Sequence, residues 1–131
     1  MARRRVVVTG MGTVSPLGND VPSFWSAVRK NRSGIAPISL IDSSDLNVRI
    51  AGEVKNFDAT KRIDSKDLRK MDRYTQFSVY AALEALEDAG LTREDLDPER
   101  TGVCLGTGEG GSASIEEAAS RLVERGPSRV P

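Results

Sequence analysis

Short apolar runs that end in glycines alternate along the chain with longer stretches of helical periodicity. Residues 6–8, Val-Val-Val, run directly into a Gly-x-Gly turn at residues 10–12, and residues 103–105, Val-Cys-Leu, end at another glycine. Runs of this length and composition are typical of strands that are buried on both faces of a sheet. Residues 48–55 alternate apolar and polar side chains, which predicts a third strand with one more exposed face.

Capping signals predict helices in the segments between these strands. Asp20 is a suitable N-cap residue with Pro22 in the first turn, so we expect a helix from there to about Lys30. The mixed residues 35–47 that follow are interpreted as a loop. A later helix is predicted over residues 115–125, because a capping-box pattern opens it and a glycine closes it.

The longest regular segment extends from Asp64 to Gly90. A short helix is predicted at its start, and a longer helix begins at about Asp72. Apolar residues cover more than half the circumference of the longer helix, so it should be buried on two sides. This arrangement leaves three acidic residues on the remaining strip: Glu84, Glu87 and Asp88.

Three strands that alternate with four or five helices indicate an α/β domain. Three strands are few for a sheet that is covered on both faces. The chain also stops shortly after a helix, without a following strand. We therefore expect the 131 residues to be the first portion of a longer domain.

Composition and charge weaken the case for several classes of function. The 19 basic and 19 acidic residues cancel, so no bulk attraction to nucleic acid or to a membrane is expected. No apolar stretch is long enough to span a bilayer and no signal-peptide core follows Met1, so we expect a cytoplasmic location. Histidine does not occur, so these residues cannot form a Ser-His or Cys-His pair or an imidazole metal site.

The single cysteine, Cys104, lies within the apolar run 103–105. One cysteine cannot form an internal disulfide, and its presence fits a reducing compartment. A catalytic thiolate needs an exposed, electropositive setting, whereas a buried free cysteine behaves as a small hydrophobic residue. We therefore predict that Cys104 is buried and serves packing.

The Gly-x-Gly turn at residues 10–12 also admits a nucleotide-binding interpretation. It resembles the start of the G-x-G-x-x-G fingerprint, but Ser15 occupies the third glycine position and no helix opens directly from the turn. A nucleotide-binding module is therefore kept as one hypothesis, and a calorimetric titration with NAD would test it.

Several segments, taken in order, resemble the beta-ketoacyl-acyl-carrier-protein synthases, the condensing enzymes of fatty-acid synthesis. Residues 6–18 resemble their first strand, V-V-V-T-G-x-G, and the S-P-x-G turn after it. Residues 69–76 are similar to their R-K-M-D-x-x-x-Q element, and residues 102–111 to their G-V-x-x-G-S-G-x-G-G segment. Their order and spacing together are specific, and the match is closest to the synthase II type. Weaker matches are found at residues 24–25, 32–35, 86–91 and 126–127.

The resemblance implies a thiolase-like α/β fold, in which two similar αβα halves make up each subunit of a homodimer. Residues 1–131 would be the N-terminal part of the first half. The implied reaction is a decarboxylating Claisen condensation, in which malonyl-acyl-carrier protein attacks an acyl chain held on a cysteine, without metal or organic cofactor. The family's catalytic cysteine, two histidines and lysine would lie beyond residue 131, so this chain alone is expected to be an inactive part of an acyltransferase.

The family resemblance also predicts a docking surface for acyl carrier protein, which would carry malonyl or acyl phosphopantetheine. The residues that carry over are Lys66, Arg69 and Lys70, with Arg129 contributing from the other side. Together with Arg73, the first three would lie on one side of a helix if that helix were continuous. The alternative is a solvated face that nearby acidic residues partly neutralise.

In the family, a loop that matches Thr107, Gly108 and Glu109 borders the acyl channel. The variable position of that loop usually holds an apolar residue, which moves to admit longer chains. Here the position is occupied by Glu109. We predict that Glu109 lines a gate that favours short or polar acyl groups, and an exposed loop carboxylate is the alternative.

Three hypotheses for function stay open. The chain is part of a condensing enzyme, or of a non-catalytic partner similar to the chain-length factor of a polyketide ketosynthase, or it is a nucleotide-binding module. Thr-Ala-Cys in the downstream sequence would favour the enzyme, whereas Gln at that cysteine position would favour the partner.

Overall fold

The computed structural model describes residues 3–129. Four α-helices are present in this range: α1 Val21–Arg29, α2 Ser65–Leu68, α3 Arg73–Asp88 and α4 Ser112–Arg125. Two short strands are β1 Ile35–Pro37 and β2 Ile50–Gly52. Single 3-10 turns are formed by Ala59–Lys61, Arg93–Asp95 and Pro127–Arg129.

The two strands form an antiparallel pair in which Ala36 lies opposite Ala51. β1 falls in the segment that was predicted to be a loop, and that prediction was wrong. The proline in β1 conceals the strand in the sequence, because proline has no backbone N–H and is tolerated only where the ladder needs no donor. The predicted strand 48–55 is confirmed only over Ile50–Gly52.

The strands predicted at residues 6–8 and 103–105 are wrong for the described residues. Neither segment forms a ladder with another segment in the range 3–129, and the side chains of Val6 and Val103 are 92% and 90% exposed. A strand exists only where a second segment pairs with its N–H and C=O groups, and an apolar run cannot reveal that partner. The prediction that Cys104 is buried was wrong for the same reason, since its segment lies exposed.

The helix predictions are largely confirmed because their signals are local. Asp20 caps α1 by accepting a hydrogen bond from the backbone N–H of Ser23 at 2.7 Å. α3 ends before Gly90, which adopts a φ of +66°, the left-handed conformation that glycine tolerates. α4 begins at Ser112, three residues earlier than expected, with Gly111 at the N-cap position, so the predicted capping box does not open this helix.

The small core lies where α3 meets the segment before α2. Ala59, Ile63 and Tyr80 are buried there, and partly buried neighbours pack around them. The ring of Phe57 contacts that of Tyr80 edge to face, with ring centroids 5.0 Å apart. The neighbours include Val14, Leu68, Met71, Val79 and Leu83.

Glu84 corrects the prediction for the polar strip of α3, because its side chain is only 6% exposed. Its carboxylate accepts hydrogen bonds from the backbone N–H groups of Thr13 at 2.9 Å and of Val21 at 2.8 Å. One side chain of α3 therefore holds both the N-terminal extended segment and the start of α1.

The glycines of the Gly-x-Gly turn allow the extended segment to lie directly against α3. A Cβ on Gly10 would be 2.0 Å from the carbonyl oxygen of Ala85, and one on Gly12 would be 1.9 Å from that of Ala81. Any side chain at either position would collide with the helix backbone. The geometry gives these glycines a packing role, which needs no nucleotide to explain it.

Candidate functional site

The basic residues predicted to dock a carrier protein lie at the end of α2 and in the turn that follows. Lys66 lies within α2, Arg69 is its C-cap residue and Lys70 follows in the turn. All three side chains are exposed. Asp64 fixes the start of α2 by accepting a hydrogen bond from the N–H of Lys66 at 2.8 Å.

The condition for a four-cation face, a continuous helix, is not met. α2 ends at Leu68 and α3 begins at Arg73, so the chain turns between them. Arg73 instead places its guanidinium 4.9 Å from the ring centroids of Phe57 and Phe77. This cation–π contact directs Arg73 toward the aromatic cluster, so the predicted face is reduced to Lys66, Arg69 and Lys70.

A groove of about 360 Å³ separates the α2–α3 turn from α4. Arg69 and Lys70 line one wall, and Glu117 and Arg121 of α4 line the other. The structure thus adds Arg121 to the lining of the groove. Sequence reasoning missed it, although the spacing of four between Glu117 and Arg121 is that of a helical ion pair, and the two side chains do form one.

The predicted acyl-channel loop is a compact turn. The N–H of Gly110 donates to the hydroxyl oxygen of Thr107 at 3.0 Å, and Gly110 adopts a φ of +68°. Gly110 also approaches the ring of Tyr74 in the first turn of α3. The side chain of Glu109 is exposed at the tip of this turn.

Asp72 joins the two predicted site regions. It occupies the N-cap position of α3, but its carboxylate makes no capping hydrogen bond to that helix. It accepts instead from the hydroxyl of Ser114 in the first turn of α4. Gly111 lies so close that a Cβ on it would be 2.1 Å from Oδ2 of Asp72.

Arg129, the fourth predicted docking residue, lies in the short 3-10 turn after α4 and is exposed. It does not line the groove that holds Arg69, Lys70 and Arg121. The structure therefore brings together two of the four predicted cations at the groove, with Lys66 on the adjoining helix.

A larger apolar cavity of about 920 Å³ lies between residues 10–13, α1 and α3. Phe24 and Trp25 of α1 line one side, and the alanines of α3 line the other. Nothing in the sequence pattern predicted this opening. Within residues 3–129, no three potential metal-ligating side chains come together, and no helix has the length and apolarity needed to cross a membrane.

Residues 3–130 match the family described as beta-ketoacyl synthase, N-terminal domain. The chain belongs to the beta-ketoacyl synthase family. The region that matches contains the extended segments, α3, the α2–α3 turn and the glycine loop, and its α/β fold is the N-terminal part of the first half of a thiolase-like fold.

Curated relatives share this region at high identity. The chain is similar to 3-oxoacyl-[acyl-carrier-protein] synthase 2 of Vibrio harveyi, with 46% identity over 99% of this chain and 31% of the relative. The corresponding protein of Synechocystis is 42% identical over 98% of this chain and 31% of its own length. The corresponding protein of Staphylococcus aureus is 46% identical over 97% of this chain and 31% of its own length. The chain thus spans about a third of the length of these relatives.

Two solved structures share the fold. The ishigamide ketosynthase/chain length factor superposes with a TM-score of 0.85 at 35% identity, over 98% of this chain and 32% of that one. A second structure is a type II PKS acyl-carrier protein in complex with its ketosynthase bound to the hexaketide. It gives a TM-score of 0.74 at 32% identity, over 95% of this chain and 33% of that chain.

Proposed function

We propose that this chain is the N-terminal part of a 3-oxoacyl-acyl-carrier-protein synthase that elongates fatty acids in the cytoplasm as a homodimer. The observation that carries the proposal is 46% identity to a synthase of that name over 99% of the chain. In the proposed reaction, malonyl-acyl-carrier protein loses carbon dioxide and attacks an enzyme-bound acyl chain. The family resemblance implies that the nucleophile and its partners lie beyond residue 131.

The contribution of this chain to that reaction would be to bind the carrier protein. Lys66, Arg69 and Lys70 are exposed, and neither of the two ion pairs found among residues 3–129 uses them. Across the groove, Arg121 is paired with Glu117, so the unpaired positive charge lies on Lys66, Arg69 and Lys70. A related ketosynthase has been solved in complex with its acyl carrier protein, which supports a carrier as the partner. Exposed cations on one surface would attract an acidic carrier and speed its association.

The second contribution would be to select the acyl chain. The turn Thr107–Gly108–Glu109 is held by its own hydrogen bond and by a left-handed glycine, so the position of Glu109 is defined. A carboxylate beside an alkyl chain would lose hydration, which costs free energy. We propose that Glu109 disfavours long acyl chains. The alternative is a carboxylate turned toward solvent, which also fits the exposure of Glu109 in this structure.

A chimera tests the proposed reaction directly. The matching N-terminal third of the Vibrio harveyi relative is replaced by this chain, and formation of the 3-oxoacyl product from malonyl-acyl-carrier protein is measured with a carrier protein that bears an acyl chain as primer. The chimera is expected to condense the two, whereas the 131-residue chain alone is expected to be inactive. A folded chimera without condensation would contradict the proposal, and so would condensation by the chain alone.

A non-catalytic chain-length partner is the second candidate, because a ketosynthase/chain length factor superposes with a TM-score of 0.85. A partner of that kind would bind a ketosynthase subunit stably without needing its own nucleophile. Co-purification of this chain with a ketosynthase whose own N-terminal third is intact, without restored activity in the chimera, would favour this candidate over the enzyme.

A further inference from the structure

The carboxylate of Asp72 connects two segments that are 42 residues apart in the sequence. It accepts a hydrogen bond from the hydroxyl of Ser114, and Gly111 lies against its Oδ2. Asp72 makes no side-chain cap to α3, although it occupies the position where aspartate usually caps. Its orientation is therefore explained by α4, and the missing side chain of Gly111 makes room for it.

The backbone of Asp72 is fixed from the other direction. Its carbonyl accepts the first hydrogen bond of α3, from the N–H of Gln76 at 2.9 Å. The side chain of Gln76 then donates to the carbonyl of Met71 at 3.0 Å and to that of Leu68 at the end of α2 at 3.5 Å. The α2–α3 turn and the carboxylate that leaves it are thus one connected unit.

Gly111 is the residue directly after the turn of residues 107–110. Since that turn closes on itself through Thr107 and Gly110, fixing Gly111 fixes where the turn leaves the body of the protein. The N-terminus of α4 adds to the interaction, because the unpaired N–H groups of a first helical turn favour a negative charge nearby.

We propose that Asp72 is a positioning residue that holds the glycine turn, and that it thereby helps to determine which acyl chains are accepted. The specificity part rests on the proposed synthase function, whereas the positioning part does not. Loss of the contact releases the turn, while Lys66 stays on α2, so acyl selection is affected more than carrier binding.

Four variants separate this role from a simple loss of charge or of stability. Asp72→Ala removes the acceptor, and Gly111→Ala pushes the two segments apart. Asp72→Asn keeps an acceptor oxygen for Ser114 and serves as the conservative rescue. Asp67→Asn removes the same charge from α2, where that side chain makes no hydrogen bond to α4, and is the charge control.

Two measurements are made on each variant. Amide hydrogen exchange at residues 107–116 is followed in the 131-residue chain and in the Vibrio harveyi chimera. In the chimera, kcat and KM are compared for a short and a long acyl primer. Asp72→Ala and Gly111→Ala are expected to speed exchange at these amides and to change the long-to-short ratio of kcat by about tenfold or more, the loss expected for one hydrogen bond to a charged group, with a smaller change in the KM for carrier protein. Asp67→Asn should stay close to the parent, and Asp72→Asn, which keeps the acceptor oxygen but loses the charge, should lie between the parent and Asp72→Ala.

Each outcome decides a separate point. Unchanged exchange in Asp72→Ala would overturn the positioning role. Faster exchange with an unchanged ratio of kcat values would overturn the specificity role, and equal effects in Asp67→Asn would show that charge alone is responsible. If the parent chimera folds without condensing, the synthase function fails, and the exchange measurements still decide whether Asp72 holds the turn.

Discussion

Replacing Glu84 should destabilise the domain more than any other single acidic substitution on α3. The carboxylate is 6% exposed and accepts two backbone hydrogen bonds, from Thr13 and from Val21. A hydrogen bond to a charged group contributes about 1.5–3 kcal/mol, so removing both in Glu84→Ala should lower the free energy of unfolding by about 3–6 kcal/mol. Glu84→Gln keeps one acceptor oxygen for two donors and should cost about half as much.

These losses are large compared with the total stability of a small domain, which is about 5–15 kcal/mol. Glu87→Gln is the matched control, because its carboxylate lies three residues further along α3, is 72% exposed and only pairs with Arg62 at the surface. An exposed ion pair of this kind contributes about 0–1 kcal/mol.

Urea unfolding provides the measurement. Trp25 is the only tryptophan of the chain and lies on α1. Because Glu84 accepts the hydrogen bond from the first N–H of α1, the fluorescence of Trp25 reports the loss of that hydrogen bond. With a urea slope of about 1–3 kcal/mol per molar, Glu84→Ala should lower the midpoint by more than about 1 M, or unfold the chain without urea. If Glu84→Gln and Glu87→Gln have equal midpoints, the two backbone hydrogen bonds contribute nothing measurable and the reasoning is wrong.

Three further predictions follow from the site and from α1. Reversing Lys66 and Lys70 to glutamate in the chimera should slow carrier association and flatten its salt dependence, and an unchanged affinity at low salt would contradict carrier docking there. Glu109→Ile should raise turnover on long acyl primers and leave short ones nearly unchanged, so equal effects on both would exclude Glu109 from the channel. Hydrogen bonding from Ser23, by its side chain and then its backbone N–H, holds the pKa of Asp20 below its usual 3.8. The stability that this lowered pKa gives is therefore present above pH 3.8 and is lost as the pH falls through the lower pKa of the folded state. Thermal melting should show this acid-dependent loss in the parent and not in Asp20→Asn. Equal pH dependence of the two melting temperatures would show that the cap does not contribute.

Local signals in the sequence predicted what is locally determined. Asp20 and Gly90 mark helix ends through hydrogen bonds and dihedral angles that involve only their near neighbours. Residues 6–8 and 103–105 could not be assigned in this way, because their pairing depends on segments elsewhere in the sequence. The buried role of Glu84 was also hidden, since its partners lie 71 and 63 residues away and are backbone groups without a side-chain signature.

In the candidate site, too, the features set by local sequence were predicted and those set by distant segments were not. Its cations and its glycine turn were found because their residue types carry the chemistry. Arg121 and Asp72 were not assigned to the site, because their roles depend on how the α2–α3 turn packs against α4. A break of four residues between α2 and α3 was enough to direct Arg73 away from the predicted cationic face.

The two exposed apolar segments affect how the chain behaves at high concentration. Extended apolar backbone whose N–H and C=O groups are not paired within residues 3–129 is a template for strands of other molecules, so solutions of the chain should form β-rich aggregates as concentration rises. Three arginines, at positions 3–5, precede residues 6–8 and act as gatekeepers against such stacking through charge repulsion. Residues 103–105 have no charge within two positions on either side, so they lack this protection and should be the more prone of the two segments to pair with another molecule.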